Sequence, residues 1–237
     1  MMLDMSTCQP PAPQDHEAFD AALYRACAAI GLEVNRPQRE RMYAHFLRVV
    51  RTNRQFNLTR ITAPADAAVK HYADSLTLLA VPWIDAGRPL AVLDVGTGAG
   101  FPAVPLAIMC EHWDITAIDG TGRKARFVGD TATVLGLANV HARHARAADL
   151  ARENAGTFDL VVLRAVAKIA AGLKEVYPLI RPGGAVVFYK TAHIDEEELI
   201  AGSHVARSLG MQRVEPFRAT LPFAEGPIQR RLIPYQR

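Results

Sequence analysis

Short apolar runs alternate with amphipathic segments from residue 90 towards the end of the sequence. A short apolar run bounded by glycine, proline or charged residues is typical of a buried strand, and apolar residues at helical spacing indicate a helix. The predicted strands span 90–95, 114–119, 139–143, 158–163 and 185–190, and the predicted helices span about 102–111, 122–136, 168–180 and 194–209. This alternation indicates an α/β domain with a parallel sheet. Two last strands, near 211–219 and 228–235, are predicted to form an antiparallel pair.

The first third of the chain is predicted to be helical. Residues 1–14 contain prolines and glutamines with few large apolar groups, and we expect a disordered tail there. Residues 15–86 form a predicted helical extension packed on the core, with helices that end near Gly31, begin at Pro37 and span about 65–79. Residues 87–237 form the α/β domain, and the whole chain is expected to be one compact unit.

The polar face of the second predicted helix carries five arginines. They are Arg39, Arg41, Arg48, Arg51 and Arg54. Such a face fits either plain solvation or contact with phosphate groups, and the sequence does not decide between them.

A glycine-rich turn follows the first strand of the α/β domain. The strand ends at Asp94-Val95, and Gly96, Gly98 and Gly100 stand at every second position after it. Glycine allows positive φ and lets a ligand approach main-chain N–H groups closely. The stretch therefore predicts a nucleotide-type cofactor site at the carboxyl end of this strand.

The spacing of these glycines favours one nucleotide cofactor over another. A dinucleotide fingerprint has glycines at positions one, three and six, and here the sixth position is Phe101. Asp119 ends the second strand, where an acid accepts hydrogen bonds from ribose hydroxyls. Together with Asp94, this arrangement resembles the S-adenosylmethionine site of class I methyltransferases, which have a Rossmann-like, seven-stranded, mostly parallel sheet with an antiparallel last strand. A nicotinamide-dependent dehydrogenase remains the alternative from another enzyme class.

The residues after the fourth strand bear on the methyl acceptor. Leu163-Arg164-Ala165-Val166-Ala167 lacks the Asn/Asp-Pro-Pro-aromatic motif of amino-methylating families and contains no cysteine nucleophile. An arginine at this edge suggests an anionic or purine acceptor, since its forked donors suit phosphate oxygens or guanine O6.

Several motifs in one order resemble the ribosomal RNA small subunit methyltransferase G family, also called glucose-inhibited division protein B. The motifs are Asn57-Leu58-Thr59, His71-x-x-Asp74-Ser75, Asp94-Val95-Gly96-Thr97-Gly98-Ala99-Gly100-Phe101-Pro102, Gly122-Arg123-Lys124-x-Arg126-Phe127, Arg164-Ala165, and Leu179-x-x-Pro182-Gly183-Gly184 with Lys190. The resemblance covers about residues 15–235. It implies methylation of guanine N7 at position 527 of 16S rRNA, in the 530 loop.

The resemblance and the placement of residues together give a set of expected site residues. Arg164 and Lys190 are expected to orient the target guanine, with no general base, because N7 already has a free lone pair. The expected cofactor contacts are Asp94, Gly96, Thr97, Gly98, Gly100, Phe101, Asp119, Ala147, Ala148 and Arg164. The expected RNA contacts are Arg54, His71, Arg123, Lys124, Arg126 and Arg146. Phe101 and Tyr72 are candidates for stacking on the target base.

Composition bears on the partner, the cellular compartment and the metal content of the protein. A formal net charge of +3 and a sequence pI near 8.9 permit a nucleic-acid partner without requiring one. Three cysteines without CxxC or zinc-ligand spacing fit free thiols in the cytoplasm, and no apolar run suggests a signal peptide or membrane span. We expect a cytoplasmic monomer without metal that acts on 16S rRNA, the small ribosomal subunit or its assembly intermediate. The open alternatives are a methyltransferase of another RNA or a small molecule, and a non-catalytic RNA-binding regulator.

Overall fold

A computed structural model of the chain describes residues 13–237, whose strands form a single mixed sheet. The strands are β1 (Ala91–Val95), β2 (Asp114–Asp119), β3 (Val140–His144), β4 (Phe158–Arg164), β5 (Ile180–Thr191), β6 (Gln212–Arg213), β7 (Phe217–Leu221) and β8 (Ile228–Gln236). Their order is β3-β2-β1-β4-β5-β8-β6, and β7 also pairs with β8. The pairs from β3 to β5 are parallel, whereas β8 is antiparallel to β5. The predicted α/β class with an antiparallel last strand is confirmed.

The outer edge of the sheet differs in detail from the prediction. Instead of one strand over 211–219, the short strands β6 and β7 follow one another along β8. Pro216 lies in the break between them and has no N–H to donate to a ladder, so it cannot continue a regular strand. The two short strands share one position, and the sheet keeps seven positions.

Helices cover the sheet and precede it. The N-terminal part contains α1 (Pro13–Ala28), α2 (Arg36–Asn53), α3 (Pro64–Ala67), a π-helical stretch (Ala68–Ala73), α4 (Asp74–Leu76) and a 3₁₀ turn (Thr77–Ala80). The α/β part contains α5 (Ala103–Met109), α6 (Gly122–Val134), α7 (Ala147–Leu150), α8 (Ile169–Val176), a 3₁₀ turn (Tyr177–Leu179) and α9 (Glu196–Ser208). Of the predicted tail 1–14, residues 13 and 14 belong to α1, and the other twelve lie outside the described residues.

Local sequence explains where α2 begins. The side chain of Asn35 accepts a hydrogen bond from the N–H of Gln38 at 2.9 Å, and the side chain of Gln38 accepts one from the N–H of Asn35 at 2.9 Å. This capping box satisfies N-terminal amides that have no partner inside the helix, and Pro37 in the first turn already has a helical φ. The predicted start near Pro37 is confirmed.

Residues 64–80, which we call the interrupted helix, replace the uniform helix predicted for 65–79. Their middle part, Ala68–Ala73, has π-helical hydrogen bonding between short α-helical turns. π-helical turns are frequent at functional sites. The wider turn includes His71 and Tyr72, both of which take part in the contacts described below.

Aromatic side chains join the helical extension to the sheet domain. The ring of Phe19 in α1 lies 5.3 Å from Tyr43, 5.4 Å from Phe46 and 5.1 Å from Tyr72, measured between centroids. Tyr72 in turn meets Phe101 edge-to-face at 5.0 Å. These rings belong to one hydrophobic cluster that extends from α1 to the sheet. The extension therefore shares its core with the turn that follows β1.

Candidate functional site

The glycine turn after β1 has the backbone that its sequence predicts. Gly96, Gly98 and Gly100 have φ values of 74°, 59° and 95°, which L-residues with side chains rarely adopt. The N–H groups of Gly96 and Thr97 donate to the carbonyl oxygen of Ile118 at 2.8 and 2.9 Å. These bonds anchor the turn to the end of β2, next to the point where the strand order reverses between β1 and β4. Ligands of open α/β sheets bind in this position.

The three glycines differ in what surrounds them. An added Cβ at Gly96 would lie 2.5 Å from Cγ2 of Val166, and one at Gly100 would lie 2.7 Å from Cγ2 of Val104. At Gly98 the nearest atom would be 3.9 Å away, so this glycine borders open space. Gly96 and Gly100 are therefore required by packing as well as by φ, and Gly98 leaves room for a ligand beside the main chain.

Asp119 closes the turn from the end of β2. Its Oδ2 accepts a hydrogen bond from the N–H of Gly98 at 3.0 Å, and its Oδ1 accepts one from the N–H of Thr121 at 2.8 Å. The residue is only 7% exposed. Because each carboxylate oxygen has two lone pairs, the group can still accept hydrogen bonds from a pair of hydroxyls while these main-chain bonds fix its orientation.

Asp94 lies beneath the same turn and is 1% exposed. Its Oδ2 accepts a hydrogen bond from the N–H of Ala103, at the start of α5, at 3.2 Å. Oδ1 of Asp94 and Oγ1 of Thr97 are buried beneath the same turn. Burial raises the pKa of the Asp94 carboxyl to about 7. Hydrogen bonds from Thr97 and from the N–H of Ala103 oppose part of this rise in the pKa, so the carboxyl holds the turn from within.

A buried histidine, His45, holds the turn from the side of the extension. Its Nε2 lies 2.8 Å from the carbonyl oxygen of Ala99, and its Nδ1 lies 3.0 Å from the hydroxyl of Tyr72. A carbonyl only accepts, so Nε2 carries the proton and Nδ1 accepts from the tyrosine. Complete burial lowers the pKa of His45 to about 3, which keeps the ring neutral. Sequence reasoning missed this residue.

Phe101 is enclosed by the extension rather than free to stack on a base. It is 7% exposed, and the ring of His71 stacks on it at 4.6 Å between centroids with 17° between the planes. Tyr72 is fully buried. Neither aromatic ring presents an open face, so the stacking role considered for both is wrong in this structure. The side chain of Phe101 instead connects the cofactor turn to the interrupted helix.

His71 is likewise held by its neighbours. Its Nε2 lies 2.8 Å from Oγ1 of Thr59, and its Nδ1 lies 3.4 Å from Nη2 of Arg164. Burial, followed by the nearby charge of Arg164, lowers the pKa of His71 to about 3. The predicted RNA-binding role of His71 stays a prediction, while its observed contacts join the 57–61 loop to the end of β4.

Arg164, at the end of β4, belongs to a buried cluster of charges. Its Nε donates to Oδ2 of Asp74 at 2.8 Å, and its Nη2 donates to the carbonyl oxygen of Lys70 at 2.6 Å. Nε of Arg230 in β8 donates to the other carboxylate oxygen of Asp74. Asp74 is 3% exposed by side chain, so one carboxylate bridges two arginines from different strands. These contacts hold Arg164 in a fixed orientation beside the glycine turn.

The loop after β4 is strained and lies over the turn. Ala165 has a φ of 57°, the one positive value among the described non-glycine residues, and Val166 is the residue whose side chain touches Gly96. Backbone strain of this kind is concentrated at binding sites. Nζ of Lys190 donates to the carbonyl oxygen of Ala167 at 2.8 Å and pairs with Glu198 at 2.7 Å. In this structure Lys190 therefore supports the loop, and direct contact with a substrate stays a prediction.

The predicted cations fall into two groups. Arg54, Arg123, Arg126 and Arg146 are exposed, and Lys124 is half-buried. Arg146 precedes α7 and borders Gly120, directly after Asp119. Ala147 is buried and Ala148 is exposed in the first turn of α7, and their predicted contact with the cofactor stays a prediction. Arg146 is therefore close to Asp119, and the RNA-binding roles of these cations stay predictions.

Of the five arginines predicted for the second helix, three bind other parts of the chain, and Arg54 lies just beyond the end of α2 at Asn53. Arg39 pairs with Asp20 in α1 at 2.6 Å, and Arg41 pairs with Glu111 at 2.6 Å. Arg48 donates from Nε to Oγ1 of Thr131 in α6 at 3.2 Å. These side chains join α2 to α1 and to the sheet domain. Arg51 and Arg54 remain exposed.

Comparison with known proteins identifies the family of the chain. Residues 38–217 match the family model described as rRNA small subunit methyltransferase G. The protein of that name from Deinococcus deserti is 40% identical over 195 residues, which cover 81% of this chain and 78% of the relative.

Two solved structures share the fold at low identity. Precorrin-6y C5,15-methyltransferase from Geobacter metallireducens has a TM-score of 0.51 and 13% identity, covering 71% of this chain and 88% of that one. TYW2 from M. jannaschii in complex with AdoMet has a TM-score of 0.50 and 16% identity, covering 68% and 80%. The fold is that of class I methyltransferases, and the chain belongs to the rRNA small subunit methyltransferase G family.

Proposed function

We propose that this protein transfers a methyl group from S-adenosylmethionine to N7 of guanine 527 in the 530 loop of 16S rRNA. The observation that carries the proposal is the glycine turn held by Asp119 at the carboxyl ends of β1 and β2, in a chain of this family. The names of the relatives supply the RNA class, and the arginine at the end of β4 supplies donors that suit guanine or phosphate.

The residues of the turn fit S-adenosylmethionine. Asp119 would accept hydrogen bonds from the ribose hydroxyls, and the amino-acid part would pass the open side of Gly98. Asp94 would hold the turn from beneath. Main-chain groups at Ala147 and Ala148 would border the adenine. When bound, this cofactor supplies an electrophilic methyl group on a sulfonium sulfur.

The protein is expected to work by positioning rather than by proton transfer. Guanine N7 attacks through a free lone pair, so nothing must remove a proton first. The two histidines beside the turn, His45 and His71, have pKa values lowered to about 3 and are engaged by neighbours, which makes them poor bases. Holding the two reactants in line then supplies most of the rate enhancement.

Arg164 is the residue we propose to orient the guanine. Asp74 and the carbonyl of Lys70 take up its Nε and one Nη2 hydrogen, which leaves the Nη1 donors for guanine O6 or a phosphate. Lys190 would act through the 165–167 loop that it supports. Five further cations would attract the RNA backbone, four of them exposed and Lys124 half-buried: Arg54, Arg123, Lys124, Arg126 and Arg146.

The setting of the reaction is also part of the proposal. We infer that the protein acts as a cytoplasmic monomer on 16S rRNA, the small subunit or an assembly intermediate, and needs no metal. Of the helices within residues 13–237, not one has the length and apolar character needed to cross a membrane. In the same residues, no cluster of three or more histidine, cysteine or acidic side chains has metal-binding geometry.

The proposal is tested by mapping N7-methylguanine in 16S rRNA. A strain that lacks the gene should lose this modification at one position, and the wild-type gene should restore it. Asp119→Asn should restore little, because a neutral amide cannot accept equally well from two hydroxyls and two main-chain amides. Asp114→Asn, an exposed change at the other end of β2, is the matched control and should restore fully. An unchanged modification in the deletion strain would refute the proposal.

A further inference from the structure

A groove on the helical extension is separate from the glycine turn. It runs between α2 and the starts of α1 and α3, with a volume of about 330 Å³. Its residues are Asp15, Tyr43, Phe46, Leu47, Arg48, Val50, Arg51, Arg54, Thr62 and Pro64. This volume lies within the range of small-molecule sites, about 300–1,000 Å³.

The groove combines an apolar floor with a positive rim. Leu47 and Val50 form half-buried parts of the floor, and the rim holds three arginines against one carboxylate, Asp15. Arg51 and Arg54 are exposed, and neither pairs with an acid among residues 13–237. A nucleobase suits such a floor, and phosphates suit such a rim. The charge of the rim disfavours a basic or neutral partner, and among anionic partners the RNA substrate of the proposed function supplies both bases and phosphates.

A second observation comes from Tyr43. The residue is 6% exposed and lines the groove, and its hydroxyl has no hydrogen-bond partner among the described residues. The hydroxyl itself is buried, so Tyr43 contributes part of its aromatic ring to the apolar lining of the groove.

The chain that leaves the groove contacts the first turn of α6. Two residues after Arg54, the ring of Phe56 lies beneath the guanidinium of Arg123, at 5.5 Å from the ring centroid. Arg123 is in the first turn of α6, which follows Asp119. A strand of RNA that enters the cofactor edge could thus continue along Arg123 to the arginines of α2.

We propose that this groove binds an unpaired nucleotide of the substrate RNA, with the base on the apolar floor and the flanking phosphates on Arg51 and Arg54. The inference rests on the proposed function, since it assigns a second contact to the same RNA. It makes the helical extension part of substrate recognition.

The test compares two double variants of the full-length protein. Arg51→Gln with Arg54→Gln should raise the KM for a 16S rRNA fragment containing the 530 loop, while kcat and the Kd for S-adenosylmethionine stay unchanged. Each phosphate contact on single-stranded RNA changes the salt slope of log K by about 0.7, so two contacts are worth about 25-fold in affinity at 0.1 M salt. Lysine at both positions should restore most of it. Arg88→Gln with Arg207→Gln, two exposed arginines elsewhere, removes the same charge and should have little effect.

Cross-linking locates the contact directly. With 4-thiouridine in the RNA fragment, irradiation should give adducts on the α2 peptides that contain Tyr43 or Leu47. Adducts confined to α6 and the 165–167 loop, or equal KM values for the two double variants, would overturn the groove proposal while methylation by the wild-type protein persists. Failure of the wild-type protein to methylate the fragment or small subunits would instead refute the proposed function, and cross-linking would still test the groove.

Discussion

The contact between His45 and Ala99 can be tested by removing the imidazole. His45→Leu nearly preserves side-chain volume but removes both hydrogen bonds of the ring, to the carbonyl of Ala99 and from the hydroxyl of Tyr72. Both partners are buried, Ala99 at 4% and Tyr72 at 0% exposure, so water cannot replace the histidine. The change therefore leaves one unpaired acceptor and one unpaired donor inside the protein.

The magnitude follows from these two groups. Each buried group that loses its partner costs about 1–3 kcal/mol, and the leucine recovers part of this because it carries no polar atoms. We expect the free energy of unfolding to fall by about 2–4 kcal/mol. Because Ala99 lies inside the glycine turn, we also expect the Kd for S-adenosylmethionine to rise about tenfold, or about 1.4 kcal/mol.

The pH dependence gives a second signature. The pKa of His45 is lowered to about 3 in the folded protein, against 6.5 for an unperturbed histidine. As pH falls from about 6.5 towards 3, the unfolded chain binds the proton first, so wild-type stability decreases over this window. Leucine has no such term, and the difference between variant and wild type should be smaller at pH 5 than at pH 8.

Urea unfolding and calorimetric cofactor titration measure these effects. His112→Leu is the matched control, because the Nε2 of this exposed histidine also lies 2.8 Å from a main-chain carbonyl, that of Ala86. At the surface water can replace the bond, and we expect less than about 0.5 kcal/mol. If His45→Leu were no more destabilising than His112→Leu, and cofactor affinity were unchanged, His45 would not hold the turn.

Three further changes probe other parts of the site. Gly96→Ala should strongly weaken cofactor binding, because its Cβ would lie 2.5 Å from Val166. Gly31→Ala is the control: Gly31 has nearly the same φ (73° against 74°), and its added Cβ meets no neighbour. This control should lower the unfolding free energy by only about 1–2 kcal/mol and leave cofactor affinity unchanged. Asp74→Asn leaves two arginines facing a neutral group, so it should lower the unfolding free energy measured in urea by about 3–5 kcal/mol. Asp66→Asn breaks only the more exposed ion pair with Lys70 and should lower it by less than about 1 kcal/mol. In wild type, the pKa of the Asp94 carboxyl is raised to about 7, so the unfolded chain loses this proton first and stability falls as pH rises from about 4 to 7. The stability of Asp94→Asn relative to wild type should therefore increase over this range and stay constant above pH 7. A constant difference in stability between pH 5 and pH 8 would contradict the buried carboxyl.

The sheet and its acidic strand ends could be predicted because the signals are local. Asp94 and Asp119 each lie at the end of an apolar run, and parallel strands bring such ends to one edge. The same reasoning placed Arg164 at the end of β4. Pro216 was also a local signal, for the break between β6 and β7, but the apolar pattern around it suggested one continuous strand.

The contacts of the extension could not be predicted because their partners are distant in sequence. His45 follows the apolar face of α2 and is indistinguishable there from any half-buried histidine, and its partner is a main-chain carbonyl 54 positions away. Four of the five arginines predicted for the second helix lie on α2, and Arg54 is the C-cap residue after it. Three of these arginines bind Asp20 in α1, Glu111 in the connection after α5 and Thr131 in α6, and no spacing within α2 indicates these partners.

These long-range contacts make the helical extension part of the cofactor site. His45 in α2 holds Ala99, and Asp74 in the interrupted helix holds Arg164, so the glycine turn and the β4 end are each fixed from the same side. If the extension loosened, the glycine turn would lose the hydrogen bond between His45 and Ala99, and Arg164 would lose the contact with Asp74 that orients it. Any cofactor that binds only the ordered turn must then stabilise the extension by mass action, by about 2.7 kcal/mol at a hundredfold excess over Kd. Amide protons of α2 should therefore exchange more slowly when S-adenosylmethionine is present, although α2 supplies no expected cofactor contact.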